Sequence, residues 1–215
     1  MRRVLLATPT YSGSVRVEYV GALLATLVDL CQRGILADIQ FLPGNCYIAL
    51  ARNELVSRFL KSEADDLVFI DDDVVFPADA VHKLLSHDVE LVAGAYPLKR
   101  DDGGFPVRVK HKHPVDGLIE CEGVATGFMR IKRTLLERMI YAMPDRKFTD
   151  PVNGNVHHEL FACERVKGTW WGEDYRFCQL AASVGATAWL DPTIEIGHVG
   201  TKTFNRDLNT WLGAQ

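Results

Sequence analysis

Three carboxylates stand in a row at Asp71, Asp72 and Asp73, directly after Leu67-Val68-Phe69-Ile70. A short apolar run that stops on acids reads as a buried parallel strand ending at the edge of a site. Continued alternation along the chain would send Asp71 and Asp73 to one side and Asp72 to the other. Two carboxylates converging beyond the carboxyl end of a central strand suit a hard divalent cation such as Mn²⁺ or Mg²⁺. The plain alternative is a turn, because Asp is common at strand ends and Pro77 follows soon after. Three adjacent like charges beside a buried strand are costly without something positive close by, which favours the site.

Glu173 and Asp174 form a second acidic pair, in the first turn of a helix expected from Gly172 to Val184, with Gly185 as its stop. Acids in a first turn are common for dipole reasons alone, worth roughly 0.3–1 kcal/mol. Here Trp170 and Trp171 lead into them, and large flat side chains before an acid pair read as a substrate wall. Asp174 at a helix start should stay ionised near neutral pH, as a general base must. His198, in Gly197-His198-Val199-Gly200, is the remaining candidate: a lone His among glycines is usually structural, but imidazole is also an acceptable ligand for Mn²⁺. His157, His158 and Cys163 fit no closed zinc spacing and read as loop residues.

The elements that must position these groups follow from periodicity. Arg3 to Thr8 reads as a first buried strand, ending in the small polar loop Thr8-Pro9-Thr10-Tyr11-Ser12-Gly13. Such a loop often lets backbone approach a nucleotide, although no Gly-rich dinucleotide or phosphate-loop signature is present. Val15 to Gln32 is helical, with Val15, Tyr19, Leu23, Leu27 and Leu30 on one face, and Ile35 to Leu42 is a second strand. The next helix, about Cys46 to Lys61, carries Arg52 on or beside its apolar stripe. A cation there needs a carboxylate from the next strand end or a ligand pyrophosphate, unless it snorkels to water. A short helix from about Pro77 to Ser86 and a strand over Glu90 to Tyr96 continue a strand–helix alternation that implies parallel pairing with right-handed crossovers.

After Pro97 the texture changes. Residues 99 to 113 hold five Lys or Arg and two Asp, a local +3, and Phe105 to His113 alternates so that Arg108, Lys110 and Lys112 share a face. That ribbon reads either as a solvated strand face or as a surface for an anionic acceptor, DNA included. Two short strands flanking Ala125-Thr126-Gly127-Phe128 are expected within Gly117 to Ile131. A helix follows over Thr134 to Tyr141, then an irregular stretch from Pro144 to Val166. A last strand covers Thr187 to Leu190, and a weakly amphipathic tail ends the chain.

Composition bounds the answer. The 215 residues are 47% apolar, enough for one substantial core, and the net charge of -4 excludes a general polyanion binder. Five scattered cysteines, without metal-ligand spacing, read as mostly buried free thiols of a reducing, cytoplasmic protein. The apolar opening is too short for a signal peptide and no stretch approaches the length of a membrane span.

Taken in order, these pieces resemble the GT-A-fold glycosyltransferases, family 2-like. The triple aspartate resembles their D-x-D motif, Gly172-Glu173-Asp174-Tyr175-Arg176-Phe177 their E-D motif, and His198-Val199-Gly200 their C-terminal metal-binding histidine. Ala51-Arg52-Asn53-Glu54-Leu55-Val56 resembles the helix before the D-x-D strand in related enzymes. The resemblance covers nearly the whole chain. It implies a single GT-A domain over 1–215, with a nucleotide-sugar-binding half at 1–97 and an acceptor and catalytic half at 98–215. The implied architecture is a Rossmann-like α/β fold with a mostly parallel central sheet flanked by helices and a smaller acceptor-side β portion.

The resemblance also implies roles. Thr8, Pro9 and Thr10 would line the base and ribose of a UDP-sugar, with Asp72 beside them, and Arg52 would reach its base or phosphates. Asp71, Asp73 and His198 would hold Mn²⁺ or Mg²⁺, with Lys202 on the diphosphate. Asp174 would be the base, supported by Glu173. Trp170, Trp171, Thr126 and Gly127 would meet the acceptor, which is a glycan, a protein or a modified DNA base. A base and a metal on opposite sides of the anomeric carbon imply inversion, although Ala51-Arg52-Asn53 is also similar to retaining relatives.

Two rival readings stand beside this one. Asp71-Asp72-Asp73-Val74 also matches the nucleophile loop of haloacid-dehalogenase-like phosphatases, with Asp71 as nucleophile and Asp73 as acid. The other rival is a non-catalytic sugar-nucleotide-binding module.

Overall fold

A computed structural model describes residues 1–100 and 104–201; Lys202 and the tail that follows it lie outside the described residues. The chain runs β1 (Arg3–Thr10), α1 (Val17–Gln32), β2 (Leu36–Pro43), α2 (Ile48–Leu60), β3 (Asp66–Ile70), β4 (Val74–Val75), α3 (Ala80–Ser86) and β5 (Leu91–Ala93). It continues with β6 (Val107–Val109), β7 (Ile119–Val124), β8 (Phe128–Lys132), α4 (Arg133–Ala142), β9 (Lys147–Thr149), β10 (Val156–His158), β11 (Glu164–Val166), β12 (Thr169–Trp171), α5 (Glu173–Ser183), β13 (Ala188–Leu190) and β14 (Gly197–His198).

Eight strands form one sheet in the order β2-β1-β3-β8-β5-β13-β7-β6. Six of them share a direction and only β7 and β8 run against it, so the sheet is mostly parallel, as expected. The simple strand–helix alternation breaks at two places: β7 runs antiparallel between β13 and β6, and the second break is nearer the centre. β8 is inserted between β3 and β5 and runs antiparallel to both. The predicted pair of strands around residue 125 exists, but its members, β7 and β8, are not neighbours.

Both faces of the sheet are covered, and the two-residue period of the central strands decides which side chain goes where. On β3, Leu67 and Phe69 pack with α2, α4 and α5, while Val68 and Ile70 pack with α1 and α3. β1 divides the same way, Leu5 and Ala7 to one side and Val4 and Leu6 to the other. All five β3 residues are buried. Each fully buried Leu, Val or Phe contributes roughly 1.5–3 kcal/mol relative to an exposed one.

One buried position on β8 is charged. Arg130 is fully buried, and its guanidinium donates to the carbonyls of Leu84, His87 and Val89. These are the carbonyls that end α3 and the loop after it, where a cation meets the negative end of the helix dipole. Arg133 does the same at the end of α2, donating to the carbonyls of Phe59, Ser62 and Ala64.

The stretch expected to be irregular contains two short antiparallel ribbons, β9 with β10 and β11 with β12. Three-residue strands are too short for alternation to be legible. His157 is not a loop residue: it sits buried in β10 with Nδ1 2.9 Å from the Ser57 hydroxyl of α2. The cysteine expectation needs correcting as well. Only Cys121 and Cys178 are buried; Cys31, Cys46 and Cys163 are exposed. Among the described residues no helix is long and apolar enough to cross a membrane.

Candidate functional site

The acidic triplet sits just past the carboxyl end of β3. The strand ends at Ile70, and Asp71 to Val74 is a turn closed by Val74 N–H donating to the Asp71 carbonyl at 3.3 Å. Alternation therefore does not extend through the acids, and the expected pairing of Asp71 with Asp73 on one side fails. Asp72 and Asp73 instead line one cavity of about 380 Å³ together with Ser12, Ser14, Val15 and Arg16. Asp71 turns towards Arg52. Burial pushes the Asp72 carboxyl above its usual range, an effect that a hydrogen bond with Thr10 opposes and the neighbouring Asp73 reinforces.

β4 leaves this turn and pairs antiparallel with β14, which brings His198 back from near the end of the described chain. Val199 N–H donates to the Asp73 carbonyl at 2.7 Å and fixes the register. The imidazole Nδ1 lies 2.8 Å from the Pro97 carbonyl, which can only accept, so Nδ1 carries a proton and Nε2 is turned to the acidic turn. That Nε2 is 3.4 Å from Asp73 Oδ1. Tyr96 packs edge-on against the ring, with centroids 4.9 Å apart. The Lys99 ammonium pairs with the other carboxylate oxygen, Asp73 Oδ2.

This donor set fits a hard divalent ion. It offers one carboxylate and one oriented imidazole, with a backbone carbonyl behind the imidazole as such ligands usually have. No group of three or more His, Cys, Asp and Glu that could hold a metal ion is found among the described residues, so the protein's own donors here are these two. An ion held here by Asp73 and His198 would keep positions for water and phosphate oxygens, as Mg²⁺ and Mn²⁺ sites do.

Arg52 answers the question its sequence position raised. It is 3% exposed, its Nη2 lies 3.2 Å from Asp71 Oδ1, and its Nε lies 3.7 Å from Glu173 Oε1. Its guanidinium rests over the Phe69 ring at 5.4 Å. Burial works against the charge, but Asp71 and Glu173 outweigh it and hold the guanidinium above its ordinary range. One side chain of α2 thus joins the acidic turn to the start of α5.

The next residue does related work that the sequence reading missed. Asn53 accepts from the backbone N–H groups of Leu160 and Phe161 at 3.0 and 2.9 Å, and donates to the Phe161 carbonyl at 2.8 Å. Phe161 then stacks on Phe177 of α5 at 4.3 Å and meets Phe69 of β3 edge-on at 5.4 Å. The signal for Asn53 was a polar side chain directly beside the apolar stripe. Lys99 carried no local signal, because its role depends on where β14 returns.

Asp174 opens α5, with its Oδ1 accepting from Tyr175 N–H at 2.7 Å. Burial raises its carboxyl above the usual range, Glu173 adds to the rise, and the Tyr175 N–H and Arg52 oppose it. Trp170 is 69% exposed and Trp171 half-buried, both on β12. The guanidinium of Arg108 lies over the Trp171 ring at 4.7 Å and the Tyr175 ring at 5.4 Å.

The other expected residues are distributed unevenly. Thr8 is fully buried, its hydroxyl 2.6 Å from that of Tyr19, and Pro9 is buried beside it, so neither reaches the cavity. Thr10 touches its edge through Asp72 while bonding the Ser14 carbonyl at 2.6 Å. Thr126 is buried and its hydroxyl has no partner among the described residues. Gly127 lies not at the tryptophans but against the acidic turn, where Asp71 N–H donates to its carbonyl at 2.9 Å. A Cβ at Gly127 would stand 2.5 Å from Asp71 Oδ2 and 2.6 Å from the Tyr96 hydroxyl. The basic ribbon is not one free face: Lys110 pairs with Glu120 at 2.6 Å, and a bulge between Arg108 and Val109 breaks the alternation that would align it with Arg108.

No protein-family model matches this chain, and comparison with curated proteins finds no match. Solved structures do match. A197 from STIV aligns with a TM-score of 0.58 at 24% identity, over 94% of this chain and 87% of that one. GalNAc-T7 with UDP, GalNAc and Mn²⁺ gives 0.58 at 10% identity, over 93% of this chain but only 43% of its own. A Drosophila β1,4-galactosyltransferase 7 mutant complex with manganese, UDP-Gal and xylobiose gives 0.50 at 14% identity, over 100% and 80%. At these identities the likeness is one of fold. The chain has a GT-A-like fold, shared with these solved structures.

Proposed function

We propose that this chain is a metal-dependent glycosyltransferase that moves a sugar from a UDP-sugar donor to an acceptor hydroxyl. The observation that carries the reading is the approach of His198 Nε2, with its ring oriented by Pro97, to within 3.4 Å of Asp73. A fold found in solved complexes with UDP and manganese supports it. Asp73 and His198 would hold Mn²⁺ or Mg²⁺, which when bound supplies Lewis acidity towards a diphosphate, while Asp71 is turned to Arg52. The Lys99 ammonium is then free to face the same phosphates, joined by Lys202. Asp72, Thr10, Ser12, Ser14 and Arg16 hold the nucleotide in the cavity they border, and Arg52 keeps Asp71 and Glu173 in place.

Asp174 takes the proton of the acceptor hydroxyl, and Trp170 and Trp171 form the acceptor wall. A raised carboxyl pKa makes Asp174 a better proton acceptor while leaving it accessible to titration. Base and leaving phosphate on opposite sides of the transferred sugar give inversion. The chain acts as one unit, with residues 1–97 as the nucleotide-sugar-binding half and 98–215 as the acceptor and catalytic half, from which Lys99 and His198 return to the donor side.

The test is UDP release from a panel of UDP-sugars with and without Mn²⁺, in wild type, Asp73→Asn and His198→Ala. Metal-dependent release that falls at least tenfold in both variants is the expected result. Release of phosphate from p-nitrophenyl phosphate without any turnover of sugar nucleotides would instead favour a phosphatase.

A further inference from the structure

The acceptor side holds a cation that the reading above leaves without a task. Arg108 stands on β6 directly across from Gly123 of β7. Gly123 has no side chain, and a Cβ there would collide with the ring of Tyr175. Tyr175 therefore packs closely against β7 at Gly123, and the Arg108 guanidinium lies over its ring at 5.4 Å and over that of Trp171 at 4.7 Å. Three segments build this stack, and two of its members flank the acid pair in sequence: Tyr175 follows Asp174, and Trp171 precedes Gly172 and Glu173.

The guanidinium is exposed, and no carboxylate pairs with it among the described residues. Its neighbour Lys110 is neutralised by Glu120. A guanidinium held over aromatic rings makes no hydrogen bond to them, which leaves its N–H donors for an oxyanion, where it can make two parallel hydrogen bonds. Stacking also fixes the side chain beforehand, so less ordering is lost on binding.

We infer that Arg108 is a specificity-determining residue that binds one carboxylate or phosphate carried by a saccharide acceptor, beside the hydroxyl that Asp174 deprotonates. The inference rests on the glycosyltransferase reading and names its acceptor class. A single anionic group fits better than a polyanion. A nucleic-acid strand needs a row of free cations along its path, and here Lys110 is paired while exposed Glu122 adds a negative charge on the adjoining strand. Exposed Trp170 on the same ribbon offers a flat apolar plate for the body of the sugar.

The experiment measures acceptor-stimulated UDP release with a glucuronic-acid-terminated disaccharide, glucose 6-phosphate, the neutral counterpart of each, and a decathymidylate oligonucleotide. The expected result is a KM at least tenfold lower for one of the anionic saccharides than for its neutral counterpart. Arg108→Gln should remove that preference by raising the anionic KM about tenfold with kcat changed far less, Arg108→Lys should restore only part of it, and Lys112→Gln should change nothing. Which of the two anions is preferred separates a carboxylate from a phosphate. Equal KM values for charged and neutral saccharides, an Arg108→Gln enzyme that keeps the preference, or stimulation by the oligonucleotide alone would each overturn the inference. Calorimetric binding of the same saccharides to wild type and Arg108→Gln needs no turnover. It decides the role of Arg108 even if no UDP-sugar is consumed, and equal binding by the two proteins there also overturns it.

Discussion

Arg52 Nε lies 3.7 Å from Glu173 Oε1, within a buried contact that also places Arg52 Nη2 3.2 Å from Asp71. The side chain is 4% exposed, and those of Asp71 and Glu173 are 27% and 16% exposed. Removing the cation leaves two partly buried carboxylates without this partner. A fully buried pair broken on one side costs about 3–5 kcal/mol. The residual exposure here brings the expected loss for Arg52→Met to about 1–3 kcal/mol, still enough to lower the melting temperature by several degrees. Arg52→Lys should recover part of the stability but not the activity, because an ammonium cannot span both carboxylates. Denaturant melts paired with UDP-release rates check both statements; a fully active Arg52→Lys enzyme would rule out the bridging role.

Gly127 should tolerate no side chain. Its backbone does not need the left-handed region, so the objection to Ala is steric alone: the added Cβ meets Asp71 Oδ2 at 2.5 Å and the Tyr96 hydroxyl at 2.6 Å. Overpacking of this kind costs about 1–3 kcal/mol. The displaced Asp71 should also raise the donor KM of Gly127→Ala. Gly21 gives the contrast. It lies within α1 with nothing inside 4 Å of its would-be Cβ. Gly21→Ala should stabilise the fold by about 0.4–1 kcal/mol, since Ala costs less backbone entropy in a helix. Thermal melts of the two variants should shift in opposite directions.

What could be read from the sequence here was whatever depends on near neighbours in the chain. The continuous apolar run of Val68 and its neighbours announced a strand buried on both faces, and the stripe through Tyr19, Leu23 and Leu30 announced α1. The acid triplet, the acid pair and His198 stood out because charged or ligating groups beside apolar or glycine-rich runs are unusual. The insertion of β8 between β3 and β5 was not legible, since strand neighbours are chosen by packing over the whole sheet. Nor was the failure of alternation at Asp71, which depends on where the ladder with β8 stops. Asn53 acts on Leu160 and Phe161, about a hundred residues further on, and Lys99 reaches back to Asp73, so no local pattern could carry their roles.

The rate should depend on pH through Asp174. Burial raises its carboxyl pKa first, and the Glu173 charge raises it further. A base is active when deprotonated, so kcat/KM should fall as pH drops through this raised value, and the acid limb should lie above the ordinary carboxylate range of about 4. Glu173→Gln removes one of the raising charges and leaves Arg52, which lowers the pKa, with one carboxylate fewer to serve. The limb of that variant should move to lower pH. A pH–rate profile of wild type and Glu173→Gln decides the matter; a limb that stays in place would show that Asp174 is not the titrating group.

Stability should have its own pH dependence, set away from the site by Asp191. This carboxylate, just after β13, is 2% exposed. Burial alone would raise its pKa, but hydrogen bonds from His87 Nε2 at 2.8 Å and from the Thr193 hydroxyl and N–H at 2.7 and 2.8 Å outweigh it and hold the group below its ordinary value. A carboxyl depressed by folding binds its proton more readily in the unfolded chain. The stability it contributes is therefore fully present above the unfolded pKa of about 3.9 and is lost as pH falls through the lower folded value. Asp191→Asn lacks this contribution at every pH. The difference in unfolding free energy between wild type and Asp191→Asn should be constant from about pH 7 to pH 5 and shrink steadily below about pH 4. Urea melts across that range measure it, and a difference that grew on acidification would reverse the assigned sign.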